Sequence, residues 1–235
     1  SGAGPLEREL LSATSRVAER VAAVIPRRLS DVVRVLVVPV TDVADEVMFL
    51  RVLQLFEVVF AGMARSLTAG RDALERGDED TATTEIRQAA TTLTRAIPFF
   101  RILGTMSAES FARIRTMTPG ASGLQSDSFK QIELTCSRQT PDRMGLLGYT
   151  EPNIVDLAAK EEGRPTIEEL VEAGPPPPAL LEGMVKLDKE WAQWKRTYWA
   201  IAVRLIGDSP GTGGTAGAAY PRHHVAGPLF PMLHG

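Results

Sequence analysis

Apolar residues recur along this chain every three or four positions, which is the spacing that places them on one face of an α-helix. The first such stretch runs from Leu6 to Ile25 and ends at Pro26. A second begins after Asp42, which we predict to be an N-cap because acidic residues follow it in the first turn. The same pattern predicts helices at about 42–76, 83–97, 107–117, 126–136 and 179–206.

The segments between these helices carry no pattern that predicts a sheet. Residues 32–38 are rich in β-branched side chains, but no partner strand is visible, so we predict an extended arm. Residues 137–178 are expected to form an irregular insertion with one short acidic helix at about 167–173, ending in a polyproline spacer. The whole chain is therefore predicted to be a single all-helical domain. Its predicted parts are an N-terminal helix and arm (1–40), core helices with a first glycine-rich segment (42–135), the irregular insertion (137–178), and a last long helix with a second glycine-rich loop and a tail (179–235).

The composition narrows the range of partners. A net charge of −3 provides neither the basic surface expected for binding nucleic acid nor the one expected for an anionic membrane. Cys136 is the single cysteine and has no intrachain disulfide partner, so we expect a reducing, cytoplasmic compartment. The longest apolar stretch, 47–63, is interrupted by Arg51, Gln54 and Glu57. It therefore predicts a buried helix rather than a membrane span, and no signal peptide is expected.

Two glycine-rich segments stand out: Ala-Ser-Gly-Leu-Gln-Ser at 121–126 and Gly-Thr-Gly-Gly-Thr-Ala-Gly at 211–217. Each follows a predicted helix that carries an arginine. In this order and context they resemble the two signature segments of the tryptophan 2,3-dioxygenase superfamily, whose members bind haem and oxidise aromatic amino acids or related compounds. The resemblance covers residues 42–67, 107–135 and 190–222. It implies an all-α, single-domain helical bundle of the tryptophan 2,3-dioxygenase type that assembles as a homodimer or homotetramer.

The resemblance implies substrate-binding roles for three residues. Arg115 would bind the substrate carboxylate, a role that suits the planar guanidinium group because it can donate two parallel hydrogen bonds. Ser122 would line the pocket, and Thr212 would hydrogen-bond the carboxylate or ammonium end of the substrate. Taken alone, the first segment also fits an ordinary turn preceded by surface arginines. The second segment, in the expected order, favours the resemblance.

The chain departs from the superfamily pattern at both histidine positions. The haem-ligating histidine lies nine residues before the glycine that ends the last long helix, and Tyr198 occupies that position here. The distal histidine follows a pocket phenylalanine by four residues, and matching that phenylalanine to Phe49 places Leu53 there. One helical stripe contains Phe49, Leu53, Phe56 and Phe60. The stripe fits a wall against an aromatic substrate, and it fits core packing equally well.

The replacement of both histidines leaves two alternatives for the cofactor of the predicted pocket. In the first, haem is bound with Tyr198 as its ligand, since a tyrosinate can ligate ferric haem. In the second, no cofactor is bound, and Tyr198 acts as an acid or base. His223 and His224 provide a further metal-binding alternative, although adjacent histidines in a tail are typical of surface residues. No spacing of histidines and carboxylates predicts a non-haem iron or zinc site.

These two states of the pocket, together with the alternative of a protein without catalytic activity, give three functions. With haem, the expected reaction is oxygen insertion into the indole or phenol ring of an aromatic amino acid or a derivative, in secondary metabolism. Without haem, the same pocket is expected to catalyse a non-oxidative cyclisation or rearrangement of an intermediate derived from an aromatic amino acid. The third alternative is a non-catalytic ligand-binding protein, because a fold does not fix a function.

Overall fold

The computed structural model describes residues 39, 41–116, 126–207 and 227–234, which all belong to one compact unit of the chain. These residues contain α-helices, two short 3-10 helices and no β-strand, as the predicted all-α fold requires. The predicted helix at 6–25 and the arm at 32–38 lie outside the described residues. Numbered from the first described helix, the α-helices are α1 (Ala44–Glu75), α2 (Glu79–Phe100), α3 (Ala108–Thr116), α4 (Asp127–Cys136), α5 (Pro141–Met144), α6 (Leu147–Thr150), α7 (Pro152–Glu161), α8 (Ile167–Glu172) and α9 (Pro178–Ile206).

The start of α1 differs from the prediction. The N-cap is Val43 rather than Asp42, and its side chain makes no capping hydrogen bond. Glu46 in the first turn accepts hydrogen bonds from the backbone N–H and the hydroxyl of Thr41, at 2.7 and 2.5 Å, which fixes the chain that leads into the helix. Asp42 is instead bonded to the guanidinium of Arg113 on α3. The predicted acidic first turn is therefore present, but a different residue caps the helix.

Helix α2 extends beyond its predicted end at about 97 and includes Pro98. Pro98 lacks an N–H and so removes one intrahelical hydrogen bond, yet the helix ends only at Phe100. Phe100 is buried in the core, and this burial compensates for the lost bond. A 3-10 helix, Arg101–Thr105, follows directly. The missing hydrogen bond affects only the end of α2, because Pro98 lies within its last turn.

Helices α1, α2 and α9 pack side by side. Gly70 on α1 lies against Ile86 on α2, and Gly183 on α9 lies against the same residue and Arg87. A Cβ atom added at Gly183 would be 3.1 Å from the Arg87 Cγ atom, so glycine permits the close approach. Phe100 on α2 contacts both Phe56 on α1 and Tyr198 on α9. Together these contacts make α1 and α2 antiparallel, and α2 and α9 parallel.

An aromatic layer fills the space between α1, α2, α4 and α9. Its rings pack edge to face or stacked, with centroids 4.8 to 6.1 Å apart. All six side chains are buried within the main apolar cluster of the described residues. The aromatic layer consists of Phe56, Phe60, Phe100, Phe129, Trp191 and Trp194. By length and apolar composition α1 meets the criteria for a membrane span, but this layer accounts for its apolar inner face.

The short acidic helix predicted at about 167–173 is present as α8, but the expectation that the rest of 137–178 is irregular is wrong. Four helices, α5 to α8, occupy most of this range. They are four to ten residues long, too short to produce a clear apolar repeat, and local caps and distant contacts stabilise them. Thr166 and Glu169 form a reciprocal capping box at α8. The guanidinium of Arg71 on α1, which is buried, donates to Glu161 at the end of α7 at 2.5 Å. The polyproline spacer is also shorter than predicted, since Pro178 begins α9.

Candidate functional site

Two apolar clusters meet where α1, α3 and α9 approach one another. The larger cluster contains the aromatic layer, and the smaller one is built around Val43, Ile114 and Leu205. Phe49 on α1 and Ile201 on α9 pack against both clusters. We call this meeting point the junction. Of the residues predicted to contact substrate, Phe49, Leu53 and Phe56 lie on α1 and Arg115 lies on α3.

Phe49 and Arg115 are brought together by a third side chain. The Phe49 ring packs edge-on against the Phe111 ring, with centroids 5.5 Å apart. The guanidinium carbon of Arg115 lies 5.8 Å from the centre of that same ring. Arg115 is half-buried, and its position over an aromatic ring leaves it beside an apolar surface rather than projecting into solvent. One cation and two rings therefore form a continuous wall at the junction.

Sequence reasoning missed Phe111 as part of this wall. Its signal is the four-residue spacing to Arg115, which places both side chains on the same face of α3. That spacing is frequent in helices by chance, and only the packing of α3 against α1 shows that Phe111 contacts Phe49. Leu53, one turn after Phe49 on α1, is half-buried.

Phe56 and Tyr198 lie at the other side of the junction. Phe56 is buried within the aromatic layer and stacks on Trp194 at 6.1 Å. The partly buried Tyr198 ring stacks on Trp194 at 5.7 Å and is tilted against Phe100 at 6.0 Å. Phe56 and Tyr198 are thus linked through shared aromatic neighbours. Core packing, one of the two alternatives for the helical stripe, describes Phe56 and also Phe60.

A carboxylate on α1 holds the end of the first glycine-rich segment. The Ser126 hydroxyl donates to the Glu57 carboxylate at 3.0 Å and accepts the backbone N–H of Phe129 at 3.2 Å, which makes Ser126 the N-cap of α4. Burial raises the pKa of Glu57 above its ordinary value, the Ser126 hydrogen bond opposes that shift, and the charge of Asp127 adds to it. The residue immediately after 121–125 is therefore fixed to the helix that carries Phe49 and Phe56.

Several predicted residues lie outside the part of the chain that the structure describes. They are Ser122, Thr212, His223 and His224. A groove of about 350 Å³ runs between the 3-10 helix and α9, lined by Arg101, Gln193, Arg196, Thr197, Ala200 and Ile201. None of the predicted substrate-binding residues lines it.

Comparison with known proteins supports the superfamily resemblance. No family model matches the chain. The chain is 27% identical to a tryptophan 2,3-dioxygenase of Anaeromyxobacter sp. (strain K) over 231 residues, which cover 83% of this chain and 87% of the relative. It is 25% identical to one of Herpetosiphon aurantiacus, covering 80% and 86%, and 24% identical to one of Pseudomonas aeruginosa (strain PAO1), covering 83% and 82%. These similarities support membership of the tryptophan 2,3-dioxygenase superfamily. The fold and the order of its two glycine-rich segments agree with this membership.

Tryptophan 2,3-dioxygenases are generally haem enzymes, so we ask which side chains of this chain could ligate haem. The alkyl side chain of Leu53 has no donor atom, and the phenol of Tyr198 belongs to a ring packed among other aromatic rings. Within the described residues the one histidine is His234, which is bonded to Asp188 at 2.8 Å. No group of three or more histidine, cysteine or acidic residues in that same part of the chain can hold a metal ion. The donor set of the described residues therefore does not fit a histidine-ligated haem.

Proposed function

We propose that this protein binds an aromatic amino acid or a close derivative at the junction and converts it without a histidine-ligated haem. The observation that carries the proposal is the wall formed by Phe49, Phe111 and Arg115. Two rings in edge-to-face contact offer an apolar, π-rich surface to an indole or phenol ring. The guanidinium beside them offers paired donors to a carboxylate. A ligand with both groups matches this surface.

Arg115 is the residue that we propose for carboxylate binding. Arg115 is half-buried against the Phe111 ring, whereas its neighbour Arg113 is exposed. A charge-assisted, two-donor contact in a partly desolvated setting contributes about 1.5–3 kcal/mol. Ser122 and Thr212 remain predicted partners of the same end of the ligand.

For the chemical step we propose a redox-neutral cyclisation or rearrangement. Such a reaction moves protons and bonds within one substrate and needs no external oxidant, so the wall and a proton-transfer group are sufficient. Tyr198 is our candidate for that group, since it takes the position of the superfamily's ligand histidine on α9. Holding a flexible intermediate in one reactive conformation contributes several kcal/mol by itself.

Two other functions have specific support. The names of the relatives and the retained glycine-rich segments favour an oxygenase, in which Tyr198 rather than histidine ligates haem. The Tyr198 ring packs against the rings of Phe100 and Trp194, and this apolar setting favours a protein that binds its ligand and does not turn it over. In either case we propose a cytoplasmic homo-oligomer, a dimer or tetramer, as in the superfamily, with a place in secondary metabolism.

The first experiment separates the haem alternatives. The protein is expressed with iron and a haem precursor, titrated with hemin, and scanned for a Soret band. We expect no band, for wild-type and Tyr198→Phe alike. A stoichiometric band that Tyr198→Phe removes would overturn the haem-free proposal and establish the tyrosinate-ligated oxygenase. Product analysis after incubation with the bound ligand then separates an enzyme from a binding protein.

The second experiment tests the ligand class by calorimetric titration with L-tryptophan, L-tyrosine and their decarboxylated amines. We expect binding of at least one amino acid and weaker binding of the matching amine. Arg115→Ala should raise the dissociation constant by about 10- to 100-fold. Arg113→Ala, which changes an exposed arginine on the same helix, is the control and should leave it unchanged. Equal affinity for the amino acid and its amine would refute carboxylate binding by Arg115.

A further inference from the structure

The last described residues, 227–234, form what we call the C-terminal strap. Leu229 and Phe230 are buried and belong to the same apolar cluster as Trp191 and Trp194. The strap ends in a short 3-10 helix, Pro231–His234. Its apolar side chains therefore complete the core beside the aromatic layer, although the strap follows α9 in sequence by twenty residues.

Charged side chains hold the backbone of the strap at four points. The Asp188 carboxylate on α9 accepts the backbone N–H groups of Leu229 and Phe230 at 2.6 and 3.1 Å. The Lys195 ammonium donates to the Gly227 carbonyl oxygen at 2.5 Å, and Glu168 on α8 accepts the Met232 N–H at 2.6 Å. Hydrogen bonds to buried charged groups are stronger than those between neutral groups, so these contacts are costly to break. The strap is fixed to α9 by its backbone as well as by its apolar side chains.

Gly227 is the point at which the strap requires glycine. Its φ is +110°, a conformation that side-chain-bearing residues rarely adopt. A Cβ atom added there would also lie 2.8 Å from Nη1 of Arg143. Arg143 is itself held by Glu133, whose carboxylate is buried. Gly227 therefore lies between Lys195 and Arg143, and we expect a substitution there to weaken the attachment of the strap without changing a residue of the junction.

Two of the three anchoring side chains, Asp188 and Lys195, lie on the helix that carries Tyr198. Asp188 precedes Trp191 by three residues, and Lys195 precedes Tyr198 by three, so each of the two lies one turn from an aromatic side chain of the site. Trp194, between them, contacts both Phe56 and Tyr198. Because the strap restrains Asp188 and Lys195, it also restrains the neighbouring aromatic side chains of α9, Trp194 and Tyr198.

We propose that the strap is a positioning element for ligand binding: its attachment through Asp188 and Lys195 holds α9 in the arrangement that binds the aromatic ligand. This inference rests on the proposed function of the junction. It makes Asp188, Lys195 and Gly227 positioning residues, which act through Trp191, Trp194 and Tyr198 and have no contact with the ligand. Ligand affinity then depends on a segment that is far in sequence from Phe49, Phe111 and Arg115.

The test uses Gly227→Ala in the full chain, with Gly163→Ala as its matched control. Gly163 also has a positive φ, +83°, but an added Cβ atom meets nothing within 4 Å, so only the general backbone strain is shared. Three quantities are measured for each variant: the melting temperature, the exchange rate of the Leu229 and Phe230 amide hydrogens, and the dissociation constant for the tightest aromatic amino acid. Lys195→Met, which keeps the length of the side chain and removes the donor to Gly227, is the second variant.

We expect Gly227→Ala and Lys195→Met to accelerate exchange at Leu229 and Phe230 and to raise the dissociation constant roughly tenfold. Gly163→Ala should lower the melting temperature and leave both other quantities unchanged, which separates positioning from general loss of stability. Faster exchange at unchanged affinity would overturn the inference while leaving the proposed function intact. Absence of binding by the wild-type protein would instead overturn the proposed function, and the ligand role of the strap with it.

Discussion

The buried carboxylate of Glu133 provides the strongest quantitative prediction of this structure. It accepts hydrogen bonds from the Lys130 ammonium at 3.2 Å, from the Tyr149 hydroxyl at 2.7 Å and from the Arg143 guanidinium. Lys130 and Glu133 are almost completely buried, and the Lys130 ammonium also lies 3.8 Å from the centre of the Tyr149 ring. Glu133→Gln keeps the size of the side chain and removes its charge, so it leaves a buried lysine without an ion-pair partner.

The expected loss is about 3–5 kcal/mol in the free energy of unfolding, which is typical when one partner of a buried pair is removed. For a domain of this length that corresponds to a fall of about 10 °C in melting temperature. Glu182→Gln is the matched control, because Glu182 pairs with Arg87 at 3.0 Å but both side chains are exposed. Its expected cost is at most about 1 kcal/mol.

The contribution of Glu133 to the free energy of unfolding should decrease as the pH falls. Burial alone would raise the pKa of Glu133, but the charges of Lys130 and Arg143 and the Tyr149 hydrogen bond lower it overall. A carboxyl with a lowered folded-state pKa stabilises the fold fully above its ordinary value of 4.5, and that stabilisation is lost as the pH falls through the folded-state pKa. The difference between wild-type and Glu133→Gln should therefore be full at pH 7 and shrink in acid.

Urea unfolding followed by tryptophan fluorescence measures these quantities, with the double variant Lys130→Met/Glu133→Gln as a further check. The double variant should recover part of the loss, because it removes the uncompensated cation along with its partner. The reasoning is refuted if Glu133→Gln costs less than about 1 kcal/mol, or if the double variant is as unstable as the single one.

Two further predictions concern packing. Gly62→Ala on α1 should leave the melting temperature unchanged or raise it, because an added Cβ atom there meets nothing within 4 Å. Gly183→Ala should instead cost about 1 kcal/mol, because its Cβ atom would lie 3.1 Å from the Arg87 Cγ atom on α2. Equal effects of the two substitutions would contradict the close approach at Gly183. Cys136 is buried, and burial raises its thiol pKa well above the ordinary value, so native protein should react with a disulfide reagent at least about 1000-fold more slowly than unfolded protein. Labelling at the rate of a free thiol would show that α4 opens readily.

The sequence alone determined the helices whose apolar stripes are long enough to repeat. α1 and α9, which are 32 and 29 residues long, were predicted to within two residues, because each carries many turns of a three-to-four-residue period and ends beside a glycine. The superfamily was also recognisable, because its two glycine-rich segments are short local patterns whose order along the chain is part of the signal. Both kinds of information are contained within neighbouring residues.

Only the tertiary structure decided which distant residues meet. The hydrogen bond between Ser126 and Glu57 joins positions 69 residues apart, and the contacts of Asp188 with the strap join positions more than 40 apart. Phe111 acquired its place at the junction in the same way, when α3 packed against Phe49. No local period records such pairs, because the side chains that satisfy a buried charge or complete an aromatic wall are chosen by the packing of whole helices and not by spacing along one of them.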